Sequence, residues 1–78
     1  GFLSFSGEPL AEVVREINRY TPRTIEIADP RLSDLPVGGR FRVDDLDAML
    51  DVFKTSFGIQ SERIGDQRIV LRMTKTQP

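Results

Sequence analysis

Residues 5–20, FSGEPLAEVVREINRY, and residues 41–56, FRVDDLDAMLDVFKTS, carry one apolar spacing twice, 36 positions apart. Phe5 aligns with Phe41, Leu10 with Leu46, Val13 with Met49, Val14 with Leu50 and Ile17 with Phe53. In each copy an aromatic residue belongs to a short alternating stretch, and an acidic start opens a helix. Apolar positions then recur at the i, i+3, i+4, i+7 spacing of one helical face. A second short strand follows each helix. The duplication predicts a strand–helix–strand unit used twice. Most apolar residues fall on repeat positions, so few residues are left over for chemistry.

Outward from the repeat, Phe2 to Ser6 alternate with Leu3 and Phe5 on one face. Glu8-Pro9 opens the first helix, because the missing proline N–H has no helical partner in a first turn anyway. The helix stripe is Leu10, Val13, Val14, Ile17 and Tyr20; the wet face is Glu12, Arg15, Glu16 and Arg19, with opposite charges at i,i+3. Thr21-Pro22 ends it. Thr24 to Ile27 read as a strand with Ile25 and Ile27 inward. Asp29 to Pro36 form a proline-stiffened loop with Leu32 and Leu35 as plugs. In the third strand, Val37 to Val43, the residues Val37, Gly39, Phe41 and Val43 alternate with Gly38, Arg40 and Arg42.

Asp44 is the expected N-cap of the second helix, with Asp45 and Asp47 in its first turn, where negative charge suits the helix dipole. Leu46, Met49, Leu50, Val52, Phe53 and Phe57 form a wide apolar arc, so this helix is expected to pack on more than one side. Gly58 is its stop. Ile59–Ile64 and Arg68–Met73 form a hairpin through Gly65-Asp66-Gln67. The fold class is therefore α+β, a duplicated βαβ motif in the order β-α-β-β-α-β-β. Its two helices lie side by side against small sheets, in a single domain over residues 1–73 with a frayed tail at 74–78. The expected core is Leu3, Phe5, Leu10, Val13, Val14, Ile17, Ile25, Ile27, Phe41, Leu46, Met49, Leu50 and Phe53.

Composition removes several function classes. Eleven Lys+Arg against twelve Asp+Glu give a net charge of −1, without the basic excess of a nucleic-acid groove. A KH-type module would show Gly-x-x-Gly between helices and a basic face, and neither is present. The chain has no cysteine and no histidine. That excludes disulfides and thiolate or imidazole metal sites, and leaves Ser4, Ser6, Ser33, Ser56 and Ser61 without the commonest activating base. Asp44, Asp45, Asp47 and Asp51 read as caps and a solvated face, since a calcium loop needs oxygen ligands at alternate positions and a glycine. Val37-Gly38-Gly39-Arg40 lacks phosphate-loop spacing and reads as a β-bulge or a close backbone approach. No catalytic residue, metal or cofactor is expected, and no enzyme. No apolar run approaches the ~20 residues of a membrane span, and no signal peptide is present. The start at Gly1 fits a piece of a longer protein, whose anchor would lie outside it.

Function is then sought in binding. Arg40 and Arg42 flank Phe41, either as an ordinary charged face that discourages strand aggregation or as a strip facing a partner. In the last strand, with Ile69 and Leu71 inward, Val70 is left outside. An edge strand of that kind is open to β-augmentation. Arg40, Arg42, Ile69, Val70 and Leu71 are thus the candidate partner-binding residues.

A set of motifs resembles the C-terminal domain of FecR-type sigma regulators. It comprises Leu3-x-Phe5-x-x-x-Pro9-Leu10-Ala11-Glu12-Val13, Asn18-Arg19-Tyr20, Ile25-x-Ile27-Ala28-Asp29-Pro30, Gly39-x-Phe41-x-x-x-Asp45 and Ile69-Val70-Leu71-Arg72. The combination covers nearly the whole chain. Such domains are similar to the STN (secretin and TonB N-terminus) short domain of TonB-dependent receptors and secretins, itself two βαβ motifs with small sheets. The resemblance implies a periplasmic domain of a protein that crosses the inner membrane once, not itself embedded in the membrane. Its implied partner is the N-terminal signalling domain of a TonB-dependent outer-membrane siderophore receptor. The missing cytoplasmic part would hold an extracytoplasmic-function sigma factor. The family offers no catalytic residues. The alternative reading is the STN signalling domain of the receptor itself, or a secretin N-domain.

Overall fold

Residues 1–73 are described by the computed structural model; the tail at 74–78 lies outside the described residues. The elements are β1 (Phe2–Pro9), α1 (Leu10–Asn18), β2 (Thr24–Ile27), a 3-10 turn (Pro30–Leu32), β3 (Pro36–Arg42), α2 (Leu46–Phe57), β4 (Ile59–Ile64) and β5 (Arg68–Met73). The architecture is α+β, with two βαβ units and a fifth strand. The first strands of the units, β1 and β3, pair antiparallel in a two-stranded sheet. The second strands, β2 and β4, do not meet. β5 lies between them, parallel to β2 and antiparallel to β4. Each helix touches both sheets: α1 contacts β1 and β2, and α2 contacts β3 and β4.

This order corrects the expected exposed last strand. β5 is central, and three apolar residues in succession suit a strand covered on both faces. Ile69 and Leu71 join the core at 0% exposure. Val70 faces the other way and stands apart from the core cluster, yet is only 5% exposed. Its cross-strand neighbours are Glu26 and Glu62, paired with Arg68 and Arg72 on the same strand as Val70. The aliphatic stems of these long side chains shield the valine while their charges stay wet.

Leu10, Val13, Val14, Ile17, Ile25, Phe41, Met49, Leu50 and Phe53 are buried together, with Leu3, Phe5, Ile27 and Leu46 partly buried against them. Leu32, Val37 and Ile59 complete the cluster. Four aromatic rings run through it. Phe5 meets Phe41 at 6.2 Å, Phe41 meets Phe53 edge-on at 5.6 Å, and Phe53 meets Phe57 edge-on at 6.4 Å. Tyr20 lies beyond the end of α1 and is exposed, as is Val52.

Helix ends are satisfied in two ways. α2 has Asp45 as its N-cap, accepting from the Ala48 N–H. Asp44, expected in that role, instead holds Arg42. Gly58 closes α2 in the left-handed conformation at φ 68°, which a side chain would resist. α1 has Pro9 as its N-cap and no side-chain cap. Its first amides are satisfied by the loop joining the two halves: Leu10 N–H donates to the Leu35 carbonyl at 2.8 Å, and Ala11 N–H to Ser33 at 3.0 Å. Buried Leu32 anchors that loop. The bulge expected at Gly38-Gly39 sits opposite, in β1, where the register shifts between Ser6 and Glu8.

At the other end of α1, Asn18 clamps β2. Its Nδ2 donates to the Ile25 carbonyl at 3.1 Å, and the Ile25 N–H donates to its Oδ1 at 2.8 Å. Thr24 N–H donates to the Gln67 carbonyl just before β5 and Ala28 N–H to Leu71 within it, so by alternation Ile25 turns its own N–H away from β5. Asn18 therefore takes the place of a neighbouring strand.

Phe53→Ala is expected to cost about 3–5 kcal/mol and Leu50→Ala about 2–5 kcal/mol in urea unfolding. Val52→Ala should fall within about 0.5 kcal/mol of the parent. Asn18→Ala should cost about 1–3 kcal/mol, with accelerated exchange of the Ile25 amide as its local signature.

Candidate functional site

Alternation along β1 and β3 sends Leu3, Phe5 and Phe41 inward, and Phe2, Ser4, Arg40 and Arg42 to the open face. Phe2 stands opposite Arg42, and Ser4 opposite Arg40. The Phe2 ring is 55% exposed. The Arg40 guanidinium lies 4.6 Å from its centroid and that of Arg42 at 5.9 Å, within cation–π range. An aromatic plate flanked by two guanidiniums is suited to protein contact, because aromatic and arginine side chains supply most interface hot spots. Phe2 was missed in the sequence. Its signal was parity: it is out of step with Leu3 and Phe5.

The two arginines differ electrostatically. Arg42 forks onto Asp44 at 3.1 and 3.2 Å. The hydrogen bonds from Arg42 hold the Asp44 carboxyl below its ordinary value, and Asp44 raises Arg42 in turn. Arg40 makes no ion pair among the described residues and keeps its charge available.

Beside this face runs a groove of about 150 Å³, between β3 and α2, lined by Arg40, Phe41, Arg42, Asp45, Ala48, Met49 and Val52. Its floor is apolar, and its rim carries two arginines and the Asp45 carboxylate, which caps α2. Val43 N–H donates to the Gly1 carbonyl. In an antiparallel pair the main-chain groups alternate in direction, so Gly38, Arg40 and Arg42 turn theirs away from β1. Among the described residues no strand pairs with β3 on that side. The Arg42 carbonyl is taken by Asp45 N–H at 3.3 Å; the N–H and C=O of Arg40 point into the open edge.

The structure thus brings Arg40 and Arg42 together with Phe2. It separates them from Ile69, Val70 and Leu71, which are interior to the other sheet. The outer face of that sheet is knitted by Arg68 with Glu26 at 2.8 and 2.9 Å, and by Arg72 with Glu62 at 3.2 Å. The acidic residues of the second helix start are also engaged: Asp44 with Arg42, Asp45 at the cap and Asp47 with Arg63. Among the described residues no helix is long and apolar enough to cross a membrane.

The family model described as FecR, C-terminal, matches residues 2–71. Two crystal structures of a "putative anti-sigma factor" from Parabacteroides distasonis ATCC 8503 are similar, each with a TM-score of 0.81 and 29% sequence identity. The match covers 96% of this chain and 35% of the solved one, so the chain spans about a third of that protein's length. Comparison with curated proteins gave no match.

Hydrogen bonds from Arg68 lower the Glu26 carboxyl from its ordinary value. A depressed folded-state value adds stability above the unfolded value, and that stability is lost as pH falls through the folded one. The parent is therefore expected to exceed Glu26→Gln in urea midpoint at neutral pH. The two should converge in acid. Arg68→Met should return the Glu26 carboxyl to its ordinary titration by NMR.

Proposed function

The chain belongs to the FecR C-terminal family, and on that premise we propose that it is the periplasmic receiving domain of a transmembrane sigma regulator. It binds the N-terminal signalling domain of a TonB-dependent outer-membrane siderophore receptor. It passes the occupied state of that receptor to an extracytoplasmic-function sigma factor held by a cytoplasmic part of the same protein. The observation that carries this reading is the family match over residues 2–71. The anti-sigma description of a structurally similar protein supports it.

The physical character of the surface is compatible with a receiver. The domain offers exposed aromatic, arginine and open-edge features on β1 and β3, with no histidine or cysteine to do chemistry. Binding at such a surface changes what a connected segment experiences through differential contact between two states.

Calorimetric titration of the 78-residue chain with the signalling domain of its cognate receptor should give a one-to-one complex. Arg40→Glu and Arg42→Glu should each weaken it, Arg40→Glu more strongly because no carboxylate among the described residues shares its charge. The absence of heat and of co-elution at tens of micromolar would count against the receiving role. So would a parent sequence with a β-barrel downstream.

A further inference from the structure

We propose that the groove along the open edge of β3 seats an added β-strand: an extended segment of a partner protein in which apolar and acidic side chains alternate. This deepens the receiving role proposed above and rests on it. Two sheets have four edges, and on three of them a side chain takes a main-chain group or crosses beside the strand. On β2, Asn18 already occupies the main-chain groups of Ile25. On β4, Arg63 reaches across to Asp47 of α2, over the space lined by Leu50, Lys54 and Gln60. On β1, the Glu8 carboxylate takes the Ser6 N–H, the register breaks there, and the flanking groove is walled by Glu12, Arg15, Glu16 and Arg19. The β3 edge keeps the N–H and C=O of Arg40 unspent beside an apolar floor.

The chemistry of the occupant follows from alternation. A strand added to β3 places every second side chain on the same face as Phe41, over Ala48, Met49 and Val52 of α2. Those side chains are apolar. The intervening ones stand beside Arg40 and Arg42, and opposite charges directly across a pair of strands are favourable. Acidic residues two apart therefore complement the two arginines, with Arg40 the stronger anchor and its guanidinium held in place by Phe2. A second copy of this chain does not supply such a strand. The carboxylates on its other edges are already engaged, Glu26 by Arg68, Glu62 by Arg72 and Glu8 by Ser6. The outward side chains of β1 are Phe2, Ser4 and Ser6. The occupant is another protein.

The test is amide NMR of the 78-residue chain with a blocked peptide, Thr-Val-Glu-Val-Glu-Val-Thr. Comparison peptides carry lysine for glutamate, or are N-methylated on alternate amides. Peptide at about 1 mM half-fills a site whose Kd is about 1 mM. The acidic peptide should shift Gly38–Arg42 and Ala48–Val52. Its affinity should fall about tenfold or more for the lysine peptide, and binding should vanish when the amides facing Arg40 are methylated. Arg40→Glu and Val52→Asp should each weaken binding, while Arg19→Glu on α1 should not; circular dichroism confirms that each variant is folded. The proposal is overturned by absence of shifts, by shifts elsewhere, by indifference to N-methylation, or by self-association of the chain through this groove. The two readings fail separately. A receptor domain that binds Arg40→Glu and Val52→Asp undiminished removes the edge and leaves the receiving role. Peptide binding without receptor binding does the reverse.

Discussion

The two-sided pairing of β5 is the constraint on which the rest of the molecule depends. The second strands of the two halves, β2 and β4, are separated by the width of a strand, and each finds its hydrogen-bond partners on β5. Two-stranded ribbons are marginal in water, and a third strand with a covered face is the usual threshold for a stable sheet. Among the described residues β1 and β3 pair only with each other, and they reach stability through the helices beneath them. The duplicated sequence is symmetric in its elements but not in its sheets, because the one strand outside the repeat completes one of the two.

A second asymmetry ties the halves together. Proline at the start of α1 supplies no side-chain acceptor, so the helix takes its first two acceptors from the carbonyls of Ser33 and Leu35. The loop between the repeats is therefore part of the first helix's termination. Leu32, at 2% exposure, fixes that loop to the core. The aromatic series from Phe5 to Phe57 links β1, β3 and α2 in the same way through dispersion and edge-on contact.

Helical faces were legible in the sequence because burial on one side imposes a period on the side chains themselves. Leu10, Val13, Val14 and Ile17 announce α1, and Met49, Leu50 and Phe53 announce α2. Strand neighbours impose no such local mark. The place of β5 depends on which backbones meet, and Ile69-Val70-Leu71 was open to both an edge and a central reading. The continuous apolar run favoured the central one, and the ion pairs that shelter Val70 come from residues 26 and 62, far away in the chain. Asp44 and Asp45 are adjacent and chemically equal; the fold pairs Asp44 with Arg42 and leaves Asp45 to cap α2. At the candidate site, the two arginines stood out as charges on a strand. Phe2 did not, because parity puts it on the outward face but says nothing of which side chains of β3 it meets there.

Asn18 has a consequence of another kind. A carboxamide that imitates one residue of a neighbouring strand closes the β2 edge at Ile25, while the β3 edge keeps the main-chain groups of Arg40 open. A strand that extended the sheet beyond β2 would have to displace Asn18 from Ile25. Edge pairing that propagates makes filaments; edge pairing that meets a saturated far side stops after one addition. A single asparagine at the end of a helix thus takes one main-chain site of β2 out of the reach of a neighbouring chain, a local brake on edge-to-edge growth.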